Sequence, residues 1–177
     1  VFSVIKKGSG GGVGYFAQGQ LQASQTLAAA APCYVSKVDD LIMTTFYHDG
    51  LFAVYRFQDG ALKPFTSKDY GAGSHPYDGL IYVCDLGLDK VLRYRLTPTN
   101  LELVDGYDAP LGSGPRHLVF FDRRVALLSE LDDSLTILAA DGSGLSELDR
   151  IPAHQADTTV FSGAAIRASR DGKFIYT

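Results

Sequence analysis

One pattern restricts the fold of this chain more than any other. Three stretches, Leu41 to Phe57 (LIMTTFYHDGLFAVYRF), Leu80 to Leu96 (LIYVCDLGLDKVLRYRL) and Val125 to Ala139 (VALLSELDDSLTILA), repeat one design: a short apolar run, a polar turn of about five residues, and a second alternating run. Phe46, Asp85 and Ser129 occupy equivalent places, about 39 and then about 44 residues apart, which is the period of four-stranded propeller blades. A fourth copy begins at Ile166 and reaches Thr177 partway through its blade. A unit of this kind cannot bury both faces of its sheet alone, so neighbouring copies must stack. The expectation is an all-β chain, a β-propeller of four-stranded antiparallel blades, read as a single domain over 1–177 that is an incomplete ring. Its repeats lie near 32–62, 75–103, 114–148 and 162–177, about four blades or partial blades.

Composition narrows the function classes. With 46% hydrophobic and 20% charged residues the chain has the make-up of a globular protein with a real core. A net charge of -4 offers no basic stripe for nucleic acid or an anionic membrane surface, so a small-molecule ligand is expected. No apolar run reaches the roughly 18 residues of a membrane span, and Val1 to Lys7 lacks the layout of a signal peptide; the reading is cytoplasmic. Cys33 and Cys84 lie in or beside apolar runs and read as buried free thiols.

Ahead of the repeats, GSGGGVG from Gly8 to Gly14 invites a phosphate-loop reading. No Gly-Lys-Ser/Thr follows and no register yields GxGxxG, so a flexible turn before a strand from Val13 to Ala17 is expected instead. Gln18 to Ala31 fits a short helix or an outer strand equally well.

The segment GPRHLVFFDRRVALLSEL, from Gly114 to Leu131, carries the candidate chemistry. Two apolar strands flank Asp122-Arg123-Arg124 as a turn; if they pair, Arg116 and Glu130 emerge at the same end of the sheet. GPRHLVF with SEL, CDLGLDKVLRYRL and GAAIRASRDGKFIYT, in this order, resemble the lactonase family of seven-bladed propellers, whose members include bacterial 6-phosphogluconolactonases and fungal carboxymuconate cyclases. The resemblance runs from about Pro32 to Thr177. It implies a central cleft lined by strand ends, a small lactone substrate carrying phosphate or carboxylate, and no metal or organic cofactor. It places functional positions on Arg116, Glu130 and Arg167, and a histidine on a His-Pro-His motif. Here that motif reads His75-Pro76-Tyr77, and only about ten residues separate His75 from Asp85, so the first strand of that blade is expected to be missing. Ser129 stands where the family prefers Asn.

Lactone opening needs a proton acceptor for attacking water and positive charge near the developing oxyanion. Glu130 is the candidate base. Arg116 and Arg167 suit an anionic substrate and the oxyanion, and His75 is a candidate catalytic residue as well as a turn residue. His117 is carried as a substrate contact, although strict strand alternation would set it opposite Arg116 in a structural role. Asp85 and Asp89 read as caps of their glycine turn, and His48 and His154 as exposed. Ser113 and Ser162 lack the GxSxG elbow of a serine nucleophile. The alternatives to hydrolysis are a carboxymuconate-type cycloisomerase and a non-catalytic binding platform.

Overall fold

The computed structural model describes residues 1–7, 10–27, 31–46, 49–69, 73–154 and 162–177. Every regular element among them longer than a turn is a β-strand. The first sheet has three strands, β1 (Phe2–Lys7), β2 (Gly10–Ala17) and β3 (Gln20–Leu27). Three four-stranded meanders follow. They are β4 (Pro32–Val38) to β7 (Ala61–Lys68) with β5 (Leu41–Phe46) and β6 (Leu51–Gln58); β8 (Gly73–Tyr77) to β11 (Leu101–Asp108) with β9 (Leu80–Asp85) and β10 (Lys90–Leu96); and β12 (Pro115–Phe121) to β15 (Gly144–Pro152) with β13 (Arg124–Ser129) and β14 (Ser134–Asp141). A two-stranded pair, β16 (Arg167–Ala168) and β17 (Ile175–Tyr176), ends the described chain. Phe46, Asp85 and Ser129 each close the second strand of a meander, so the repeat read from the sequence is in register with the sheets.

The apolar alternation explains the burial. The second strands are buried along nearly their whole length, as Leu41–Phe46 is, because sheet covers both their faces. The fourth strands are largely exposed, as Gly144–Pro152 is; β3, the outer strand of the first sheet, is likewise polar and exposed, and of the two readings open for Gln18 to Ala31 it is the outer strand that forms. Hairpin turns at Gln18-Gly19, Asp59-Gly60 and Asp78-Gly79 have both central residues at positive φ, the two-residue geometry that matches the twist of the strands it joins.

Two expectations need correction. The glycine run is not a turn: Gly10 to Gly14 lies inside β2, with residues 11–14 buried. Gly12 pairs with Thr26, and a Cβ there would meet the Gln25 carbonyl oxygen and lie 2.8 Å from Thr26 Cα. Glycine permits that approach of two backbones. The first strand of the His75 blade is not missing either. It is β8, short and bearing His75-Pro76-Tyr77, hydrogen-bonded at the edge of its sheet beside β9.

The described chain divides into two compact units whose boundary passes through the third sheet: residues 1–81 with 95–102, and residues 82–94 with 103–177. In the first, Val13, Ile42, Phe46, Ala53, Tyr55 and Leu62 form a core joined by partly buried Phe2 and Phe57. Those two rings meet edge-on at 5.0 Å. In the second, Ala126, Leu128, Leu135 and Ile166 cluster with Val119, Phe121, Ile137 and Ile175, while Phe120 on the other face of β12 meets Tyr82 at 4.9 Å. Arg93, 4% exposed, pairs with Asp105 through two nitrogens, and its protonated form is held more firmly than usual, first by that hydrogen bond. The thiols differ from expectation by half. Cys84 is buried, with its pKa raised by burial and then by Asp85, whereas Cys33 is exposed.

Candidate functional site

The β12–β13 hairpin is built from the end at which its chemistry sits. Pro115 pairs with Ser129 and His117 with Leu128, so Arg116 is an unpaired residue in a β-bulge. A bulge re-aims the side chains around it. Past the strand end, the Glu130 amide donates to the Gly114 carbonyl at 2.8 Å and the Leu131 amide to the Ser113 carbonyl at 3.0 Å. These bonds extend the ladder and fix Glu130 opposite the bulge. Arg116 Nη1 and Glu130 Oε2 are consequently 3.0 Å apart, with the two side chains 28% and 15% exposed.

The segment 162–163 completes the group. Ser162 Oγ donates to Glu130 Oε1 at 2.9 Å, and Arg116 Nη1 donates to the Gly163 carbonyl at 3.2 Å. Glu130 Oε2 is buried and takes no aligned hydrogen bond among the described residues, so Arg116 holds it by charge. The Gly163 amide donates to Asp133 Oδ1 at 3.1 Å, and Asp133 Oδ2 lies 3.9 Å from His154 Nε2. His154, expected to be exposed, therefore belongs to the same neighbourhood.

His117 does not follow simple alternation from Arg116, because the bulge interrupts it. By register it shares a face with Val119 and Leu128, both members of the cluster that contains Ile166. Its pKa falls from 6.5 to about 4, first through burial and then through the positive charges of Arg116 and Arg167. Near neutral pH His117 is an uncharged ring within the field of two cations. Arg167, at the start of β16, is exposed and donates to the Ile166 carbonyl at 2.7 Å.

His75 is a strand residue rather than a turn residue. It is 8% exposed, its Nδ1 lies 3.3 Å from Tyr34 Oη, and the two rings meet at a tilt with centroids 4.9 Å apart. It stands two residues before its hairpin turn, the place Val119 takes in its own strand, whereas Arg116 stands five residues before the next turn. It belongs to the first unit, and Arg116, His117, Glu130 and Arg167 to the second. Asp85 Oδ1 accepts from the Leu88 amide at 2.9 Å, capping its own turn as expected, with its pKa raised by burial against that bond. Asp89 instead reaches forward. It accepts from the Gly112 and Gly114 amides at 2.7 and 2.8 Å, which lower its pKa and fix the loop leading into the bulge. His48 lies outside the described residues. Among the described residues no three His, Cys, Asp or Glu side chains gather as a metal-ligand set. A cavity of about 540 Å³ in the first unit, beside the turns at Asp39-Asp40 and Asp78-Gly79, is lined by none of the predicted site residues.

Sequence reasoning missed Ser162 as a partner of Glu130 and Asp89 as the anchor of the 112–114 loop. Both contacts bridge more than 20 residues of sequence, and no local motif marks either.

Successive up-and-down four-stranded antiparallel sheets, one of them with an arginine–glutamate pair at a strand end, are the blades of a propeller protein. The chain belongs to the lactonase family of seven-bladed β-propellers, whose model matches residues 1–177. It is 32% identical to an uncharacterized protein of Lactococcus lactis subsp. cremoris, over an alignment covering 99% of this chain and 60% of that protein. It is 27% identical to the 6-phosphogluconolactonase of Bacillus subtilis, covering 86% of this chain and 50% of the enzyme. Among solved structures, a Lactobacillus plantarum protein superposes with a TM-score of 0.87 at 28% identity, covering 99% of this chain and 59% of that one. The periplasmic gluconolactonase of Pseudomonas aeruginosa does so with a TM-score of 0.80 at 26% identity, covering 98% and 60%. The chain thus spans about 50–60% of the length of these relatives. The Lactococcus alignment needs 204 positions to cover this 177-residue chain, so that relative carries stretches absent here. That accords with the shortened distances between motifs. A periplasmic relative also means that family membership does not fix the compartment, although no helix among the described residues is long and apolar enough to cross a membrane.

Proposed function

We propose that the protein is a lactone hydrolase of the 6-phosphogluconolactonase type, acting at the rim that carries Arg116 and Glu130. The single observation behind this reading is the Arg116–Glu130 pair at 3.0 Å, held at a bulge and a strand end in a member of the lactonase family. Glu130 Oε2, charge-paired but without an aligned hydrogen bond, has a lone pair to offer a proton. An anionic substrate that pairs with the guanidinium competes with that oxygen for its charge. Water then attacks the lactone carbonyl and Glu130 takes the proton. The tetrahedral intermediate collapses with cleavage of the ring C–O bond, and the proton passes to the departing alkoxide. Arg116 and Arg167 supply positive charge to the substrate anion and the oxyanion, and neutral His117 offers a hydrogen bond without adding charge. His75, packed on Tyr34, is given no step.

The test is hydrolysis of 6-phosphogluconolactone, followed by proton release, for the intact wild-type protein and the Glu130→Gln and Arg116→Ala variants. Glu130→Gln is expected to lower kcat by about 100-fold or more, the usual scale for loss of a general base. Wild-type rates in both variants would refute the site. A wild-type protein inert on lactones would refute the activity.

A further inference from the structure

The positioning of Glu130 and Arg116 depends on two residues that no motif marks. Ser162 Oγ donates to Glu130 Oε1 at 2.9 Å. One residue on, the Gly163 carbonyl accepts from Arg116 Nη1 at 3.2 Å and the Gly163 amide donates to Asp133 Oδ1 at 3.1 Å. The segment lies close to its neighbours, since a Cβ on Gly163 would sit 3.0 Å from Leu128 Cδ1 and 3.1 Å from the Ser129 carbonyl oxygen. It is pressed against the end of β13, the strand that delivers Glu130. A carboxylate has two oxygens and can rotate. With Oε1 taken by Ser162, the oxygen turned to Arg116 is Oε2, and the guanidinium is tethered by the Gly163 carbonyl while it faces that oxygen.

We propose that Ser162-Gly163 is the positioning segment of the Arg116–Glu130 pair, fixing the rotation of the Glu130 carboxylate and holding the guanidinium in place. Ser162 acts through Glu130 and is not a nucleophile. The proposal deepens the lactone-hydrolase reading and rests on it for its chemistry, but its geometry stands apart from any activity.

The experiment uses the intact protein and the variants Ser162→Ala and Ser162→Thr, the second retaining the hydroxyl. Side-chain 15N spectra of Arg116, assigned with Arg116→Lys, report whether its guanidinium is held or rotates freely. Lactone turnover is measured alongside. The expected result is resolved Arg116 Nη signals in wild type and Ser162→Thr and averaged signals in Ser162→Ala. In Ser162→Ala kcat falls about tenfold, the worth of one hydrogen bond to a charged group, with KM within about twofold. Ser162→Thr restores kcat. Unchanged Arg116 signals in Ser162→Ala would overturn the proposal whatever the rates do, and so would an unchanged kcat in an active protein. If wild type is inert on lactones, the functional reading fails and the Arg116 spectra alone decide the positioning.

Discussion

His117 makes the stability of this protein depend on pH in a calculable way. In the folded chain its pKa is about 4, against 6.5 for an unperturbed ring. Between these values the unfolded chain binds a proton that the folded chain does not. Stability is therefore unaffected by this group above pH 6.5 and falls as pH drops toward 4. The gap corresponds to about 3 kcal/mol at about 1.4 kcal/mol per pH unit, and solvent screening of a ring that is partly open trims this to about 2 kcal/mol. Acid weakens many proteins through their carboxylates, so the measurement must be a difference. Urea unfolding of wild type and His117→Gln at pH 7.5 and pH 4.5 isolates the histidine. Wild type should lose about 2 kcal/mol more than the variant between the two conditions. An NMR titration of the imidazole should show no protonation of the folded ring until below pH 5. Equal losses in the two proteins would refute the argument, because the burial and the paired arginine charges that depress the pKa would then not be acting on this ring.

Other substitutions probe the frame around the site. Gly12→Ala forces a methyl group into the Gln25 carbonyl across β2–β3 and should cost about 3 kcal/mol or more, read as a lowered urea midpoint. Arg123→Gly should stabilise by about 0.5–1 kcal/mol; Asp122 and Arg123 both sit at positive φ, and the equivalent second place in three other hairpins is already glycine. Asp105→Asn leaves the buried Arg93 without its counter-charge and should lower the thermal midpoint by several degrees, roughly 2–3 kcal/mol.

The parts of the fold legible in the sequence were those dictated by alternation. Phe46, Asp85 and Ser129 close strands whose preceding runs are mostly apolar, as a strand covered on both faces tends to be. β3 could not be distinguished from a helix because an outer strand is free to be polar, and its residues QLQASQTL carry no face. The glycine run misled for a physical reason. Glycine is usually placed where the chain must bend, and only the approach of the Gln25 backbone explains why a straight strand needs it. At the site, the shared sheet end of Arg116 and Glu130 followed from hairpin logic. The side on which His117 lies did not, since a bulge is one extra residue and leaves no mark on composition. Ser162 was passed over because it was weighed as a nucleophile, whereas its partner is a carboxylate 32 residues away.

The bulge has a wider consequence. β4 carries the same irregularity as β12: Pro32 pairs with Phe46 and Tyr34 with Thr45, so Cys33 is the extra residue of the bulge, as Arg116 is in the later repeat. The same backbone socket thus recurs at the start of two sheets, holding a thiol in one and a guanidinium in the other. The main-chain pairs on either side of this position keep the strands in register whichever side chain it carries.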